Sequence, residues 1–282
     1  MASTPVTMRR LSLDGVELEY EDRGSGEPVV LIHGSAIKDD LLPVADQLAL
    51  KGYRVIRYHR RGYGSSNIAP GPISIGDQSR DCAGLLNELD VERAHVVGHS
   101  YGGVIALQLA LDAPGIVHSL SLLEPALILV VPSGQAMMQQ MTPVIEMYQR
   151  GEKQQAAAAF IQAISRPNAQ QIIDAAIPGA YADSLTMSDM FFATEMPALE
   201  QWPFNLEQIG GIQQPVLFVI GDESPAPFGE AQHLLATALP QMVTATIAGG
   251  THIHDIEKPG PTAEAIASFL QVNPMVGVMT DR

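Results

Sequence analysis

Short apolar runs alternating with helix-like stretches constrain this chain more than any other feature. The runs are "EPVVLIHG", "YRVIRYH", "RAHVVGHS", "VHSLSLLEP", "QPVLFVIGD" and "MVTATIAGG", with segments such as "DDLLPVADQLALKG" and "VIALQLALDAP" between them. Strands that are apolar on both faces need cover on both faces, so the runs predict a mostly parallel sheet between two layers of helices. The opening stretch differs. "RLSLDGVELEYEDRG" alternates apolar and polar residues about Asp14-Gly15, a pair that favours a tight hairpin turn and adds an antiparallel N-terminal edge. The expected fold is α/β, with about eight strands in one sheet.

One interval breaks the alternation. From Val131 to Leu206 the patterns are helical, as in "SGQAMMQQMTPVIEMYQRG", "EKQQAAAAFIQAIS" and "LTMSDMFFATEMPAL". Ligand sites of open α/β sheets lie beyond the carboxyl ends of the strands, so an insertion this long is expected to cap that end. The predicted organisation is a core formed by residues 1–130 and 207–282, with a helical cap over 131–206. A chain of 282 residues is long enough to bury a sizeable core of this kind.

The net charge of −15, from 31 acidic and 16 basic residues, argues against nucleic acid or an anionic membrane as partner, since both would repel the chain. A single cysteine, Cys82, forbids an intrachain disulfide and lies in the helical pattern "DQSRDCAGLLNELD", where it reads as a packing residue. No Cys/His cluster has zinc-ligand spacing, and no metal or organic cofactor is expected. The N-terminal stretch lacks the apolar run of a signal peptide, and no segment is long and apolar enough to span a bilayer, so a cytoplasmic location is the expectation. A homodimer through the cap or the edge strand is compatible with the sequence, though no residue indicates one.

Within "AHVVGHSYGGVIALQLA" an apolar strand stops, turns through Gly98-His99-Ser100-Tyr101-Gly102 and gives way at once to a helix. A serine at such a sharp strand–helix bend projects its hydroxyl above the sheet, and the helix start supplies amide N–H groups for a developing oxyanion. An ordinary tight turn would explain the glycines alone. Between a buried strand and an apolar helix, the bend points instead to a nucleophile, Ser100. A serine hydroxyl needs a base. Of the eight histidines, those on the loop "IAGGTHIHDIEKPGPTAEAIASFL" follow a strand ending in two glycines and are free to reach over the serine, with the helix expected to begin beyond Pro261. His99 adjoins the serine, but the bend is expected to point its side chain elsewhere.

With these segments assembled, the chain resembles the α/β-hydrolase superfamily, in the serine-nucleophile, esterase-like branch with a helical cap after the sixth strand. "VVLIHGS", "RRGYGSS", "VVGHSYGG", "PVLFVIGDESP" and "IAGGTHIHDIEKP" fall in the family's order and spacing over nearly the whole chain. The resemblance selects His252, with Glu257 and Pro259 following it, over His254. It also implies that the oxyanion donors are the backbone N–H groups of Ser35 and Tyr101.

The acid is where the chain departs from the pattern. The family usually carries it three residues after the glycine that ends "PVLFVIG", and here that residue is Ser224. Asp222 or Glu223 could serve from a shifted loop, or the site could work as a dyad. Some members place the acid after the sixth strand, where "SLSLLEPAL" supplies Glu124. A charged residue ending an apolar strand and fixed by Pro125 lies at the rim beside the serine strand, so Glu124 is the chosen acid. His59 stands where relatives commonly show aspartate.

The expected activity is hydrolysis of a carboxylic ester, lactone or thioester of a small, largely apolar substrate through an acyl-enzyme. Met137, Met138, Met141, Met147, Met187, Met190, Met196, Phe191 and Phe192 suit an apolar pocket or the cap's own core. Two alternatives stay open: a cofactor-independent carbon–carbon hydrolase, oxygenase or lyase in the same cavity, and a non-catalytic ligand-binding member of the fold.

Overall fold

The computed structural model describes residues 7–13, 15–67 and 72–275. In chain order the first half runs β1 (Arg9–Leu13), β2 (Val16–Arg23), β3 (Pro28–Ile32), α1 (Leu42–Leu50), β4 (Arg54–His59), α2 (Ile75–Glu88), β5 (Ala94–His99), α3 (Tyr101–Asp112) and β6 (Val117–Leu123). A helical interval follows: α4 (Pro132–Gln149), α5 (Lys153–Ile164), α6 (Ala169–Ala176), α7 (Ala180–Thr186), a π-helical turn (Met190–Glu195), α8 (Met196–Gln201) and α9 (Leu206–Ile209). The chain closes with β7 (Val216–Gly221), α10 (Ala226–Ala238), β8 (Val243–Ile247), α11 (His254–Glu257) and α12 (Pro259–Val272).

The eight strands form one sheet in the order β1-β2-β4-β3-β5-β6-β7-β8. β1 pairs antiparallel with β2, and β2 with β4; every other pairing is parallel. Alternate strand residues face opposite layers. Val30, Ile56, Val96, Leu122 and Phe218 pack towards α2, α3 and α10, whereas Val29, Leu31, Val55, Val97 and Val219 pack towards α1 and α12. Each such side chain, fully removed from water, contributes about 1.5–3 kcal/mol relative to exposure. Cys82 lies buried in the first of these layers.

In the opening hairpin Leu13 pairs with Val16 and Gly15 adopts φ +79°, while Asp14 lies outside the described residues. Helix α12 begins at Pro259, not beyond Pro261. The N–H groups of a first helical turn have no intrahelical partner, so both prolines fit inside it without loss. Among the described residues no strand lies between β6 and β7. The inserted helices rest on the strand-end loops: Ile161, Ile173 and Tyr181 share an apolar cluster with Ile37, after β3, and with Ile253 and Ile256, after β8. Ile209 of α9 already belongs to the main core. No helix of the described residues is long and apolar enough to cross a membrane.

Candidate active site

β5 passes into α3 through one residue, Ser100, at φ 51° and ψ −115°. That conformation costs a non-glycine residue on the order of 1–3 kcal/mol, and its neighbours hold it in place. The Ser100 amide donates to the carbonyl of Leu123 at 2.9 Å, and its carbonyl accepts from the Ala126 amide at 2.9 Å. Space demands the flanking glycines. A Cβ on Gly98 would stand 2.4 Å from the Gly102 carbonyl oxygen, and one on Gly102 would stand 2.1 Å from that of Ile32. The hydroxyl of Ser100 is left at the strand end, lining a pocket.

Glu124 follows β6 at φ 45° and is fully buried. Its Oε1 accepts from the Gly221 amide at 2.8 Å and from the Ser224 hydroxyl at 2.5 Å. Its Oε2 lies 2.6 Å from Nδ1 of His252, and Nε2 of His252 lies 2.9 Å from Oγ of Ser100. The three side chains named from the sequence therefore form one hydrogen-bonded series. The other two carboxylates considered for the acid point elsewhere. Asp222 accepts from the Gly249 amide at 2.6 Å, and Glu223 pairs with Arg166 at 2.8 Å.

These partners fix the tautomer of His252. Nδ1 faces a carboxylate and donates, which leaves the lone pair of Nε2 to accept from the serine hydroxyl. Burial, and then the charge of nearby His99, hold the imidazole well below its ordinary pKa, so the ring rests as the neutral base. Burial raises the Glu124 carboxyl despite the donors around it. Phe228 of α10 stacks on the imidazole with centroids 3.9 Å apart, limiting its tilt.

Ser35 lines the same pocket, and Tyr101 is the first residue of α3. Among the described residues, neither backbone amide has a protein acceptor. The cavity is small, about 50 Å³, and apolar side chains dominate its wall, among them Met137, Met138, Met141, Met196, Phe160, Phe191 and Leu199. The remaining sulfur and aromatic residues named from the sequence pack away from it: Met187 and Met190 against Tyr63, and Met147 and Phe192 among the inserted helices.

The sequence did not reveal what lies behind the imidazole. His99 Nδ1 donates to Asp40 Oδ2 at 2.7 Å and stands 3.4 Å from Asp255, while Nε2 donates to the backbone carbonyl of His252 at 2.9 Å. Both ring nitrogens face acceptors, as an imidazolium requires. Burial opposes the charge, but Asp255 and Asp40 outweigh it and lift the pKa to about 10. Asp40, His99 and Asp255 are also the one grouping among the described residues close enough to share a metal ion. The 2.7 Å contact is a proton-bridged distance, so these residues read as a caged charge. Gly34 makes room for it, since a Cβ there would meet His99 at 2.9 Å and Asp40 at 3.0 Å.

The other histidines have structural partners. His59 bridges Glu19 and Asp39, His95 binds Ser119, His118 binds the Asn273 carbonyl, His233 binds that of Gly229, and His254 meets Thr262. Trp202 donates to Gln108 at 2.7 Å. Sequence reasoning also passed over the fully buried ion pair of Arg60 and Glu195, 2.6 Å apart. The available signal was an acidic residue inside the apolar stretch "MFFATEMP".

Residues 29–265 match the model of the alpha/beta hydrolase family, and the chain belongs to that family. A protein of Azorhizobium caulinodans named a carbamate hydrolase, RutD, is 40% identical over 107 residues, which span 38% of this chain and 40% of that protein. The non-heme chloroperoxidase CPO-A1 of Kitasatospora aureofaciens is 40% identical over 95 residues, 32% of this chain and 33% of its own length. The matched stretches thus span well under half of these relatives. A thermophilic esterase from Thermogutta terrifontis shares the fold over 95% of this chain and all of its own, with a TM-score of 0.80 at 22% identity.

Proposed function

We propose that this alpha/beta hydrolase cleaves a carboxylic ester, lactone or thioester of a small, largely apolar molecule through an acyl-enzyme. The observation that carries the reading is the hydrogen-bonded series Glu124–His252–Ser100 at the wall of an apolar pocket. Ser100 Oγ attacks the carbonyl carbon as its proton passes to Nε2 of His252, and Glu124 stabilises the imidazolium so formed. The tetrahedral oxyanion accepts from the amides of Ser35 and Tyr101. The imidazolium then protonates the leaving group. In the second half, His252 takes a proton from water, hydroxide attacks the acyl carbonyl, and Ser100 leaves with the proton restored. The inserted helices serve as the cap that excludes water and sets the apolar character of the substrate.

The alternative of carbon–carbon cleavage or cofactor-free oxygenation drew its force from the missing acid after β7. The carboxylate of Glu124, reaching His252 from the turn after β6, supports the hydrolytic reading instead. The test is covalent labelling with a fluorophosphonate alongside turnover of short p-nitrophenyl esters. Ser100 is expected to carry the label, Ser100→Ala to abolish it and His252→Ala to weaken it. No label and no turnover on the wild-type protein would refute the reading.

A further inference from the structure

We propose that Arg60 is a positioning residue for the oxyanion site and that Glu195, from the inserted helices, clamps it there. The inference rests on the proposed acyl-transfer function, in which the Ser35 amide is an oxyanion donor.

One peptide group connects Arg60 to the oxyanion donor. The carbonyl of Gly34 and the N–H of Ser35 belong to the same trans peptide, so they point in opposite directions. Two donors hold that carbonyl: Nδ1 of His33 at 2.7 Å and Nη2 of Arg60 at 2.7 Å. Fixing the oxygen fixes the N–H, which is thereby turned away from Arg60 on a residue that lines the reaction pocket. A charged donor on the carbonyl also polarises the peptide and strengthens its N–H as a donor.

Arg60 has little freedom to do otherwise. It is fully buried, with Nε on the His33 carbonyl at 3.1 Å and Nη1 on Gln78 at 2.7 Å. Its guanidinium lies 4.7 Å from the ring centroid of Tyr101, whose amide is the second proposed donor. The same Nη2 that holds Gly34 also donates to Oε1 of Glu195 at 2.6 Å. Tyr63 closes a second path: its hydroxyl accepts from the Ala36 amide at 3.0 Å and donates to that same Oε1 at 3.0 Å. The peptides on both sides of Ser35 thus depend on one carboxylate oxygen of the insertion. Glu195 ends the π-helical turn, an irregularity often found at functional positions. An ion pair that merely docked the insertion would not need to share its nitrogen with the oxyanion loop, nor to be fully desolvated.

The experiment compares the wild-type protein with Arg60→Lys, which keeps the charge but cannot reach Gly34, Gln78 and Glu195 together, and with the double variant Arg60→Met/Glu195→Leu, which removes both charges. Thermal melting, kcat and KM for p-nitrophenyl butyrate, and inhibition by a trifluoromethyl ketone, whose serine adduct carries the oxyanion, are measured for each. The expected result is a fall in kcat of about tenfold or more with KM within about threefold. Trifluoromethyl ketone affinity should fall by the same factor as kcat/KM, and the double variant should melt near the wild type without recovering kcat. A folded double variant with kcat within about twofold of wild type would overturn the inference, as would a loss of kcat that leaves ketone affinity unchanged. A wild-type protein that takes up no fluorophosphonate would instead overturn the parent reading, and this one with it.

Discussion

Ser224 donates its hydroxyl to Oε1 of Glu124 at 2.5 Å, while Oε2 of the same carboxylate faces the imidazole of His252 at 2.6 Å. The serine after β7 and the glutamate after β6 are therefore two parts of one device. One loop supplies the charge and the other holds it in orientation, with the Gly221 amide as a further donor. Replacing either part has a distinct consequence.

Glu124→Gln removes the negative charge that supports the imidazolium and offers the wrong partner to Nδ1–H. Turnover of a p-nitrophenyl ester is expected to fall on the order of 10²- to 10⁴-fold. Asp222→Asn and Glu223→Gln, whose parent carboxylates bind Gly249 and Arg166, are expected to stay within about twofold of wild type. Steady-state kinetics of the three variants decide the assignment; near-normal activity in Glu124→Gln would refute it.

The pH profile of kcat/KM reports the free base. Burial and the charge of His99 hold His252 well below its ordinary value, so the ring stays neutral at pH values where a free histidine is largely protonated. The acid limb is expected below about pH 6.5. His99→Asn deletes a neighbouring positive charge, which makes protonation of His252 easier and moves that limb upward. A wild-type limb at or above 6.5 would contradict the electrostatic account.

Stability should follow the same groups with opposite signs on the two sides of neutrality. The folded state binds a proton on His99 up to about pH 10, whereas the unfolded chain loses it near 6.5, so the stabilisation is complete below 6.5 and is lost as pH rises through 10. Asp255, raised to about 8 chiefly by burial, has the same sign in a lower window. Its contribution is complete below the unfolded value near 3.8 and is lost as pH rises through 8, which partly offsets the gain from the histidines on the acid side. On the acid side, His252 and His254 are held neutral in the fold, the latter down to about 3, and the unfolded state takes up protons first. Melting temperature is expected to peak near neutrality and to decline towards pH 10, with a shallower alkaline decline in His99→Asn. A flat profile from pH 7 to 10 would count against the caged imidazolium.

The sheet was legible because its runs are apolar on both faces, and the serine bend because glycine stands where backbone carbonyls approach within 2.4 Å of a would-be Cβ. Glu124 could be chosen because a charge ending an apolar strand is confined to the rim. The start of α12 was misplaced because two prolines resemble a boundary when they are a tolerated first turn. What the sequence hid were the long-range pairings. His99 meets Asp40 and Asp255 across separations of 59 and 156 positions, and Arg60 meets Glu195 across 135, distances over which no local periodicity carries information. His59, read only as a departure from the family pattern, is absorbed by Glu19 and Asp39 at the carboxyl end of β4.

The Ala126 amide that donates to the carbonyl of Ser100 stitches the turn after β5 to the turn after β6. Ser100 and Glu124 therefore stand on adjoining turns joined by backbone hydrogen bonds. The imidazole arrives separately, on the loop after β8. A change confined to that loop would therefore alter the distances from the ring to Ser100 and to Glu124 together, while leaving the Ser100–Ala126 link in place.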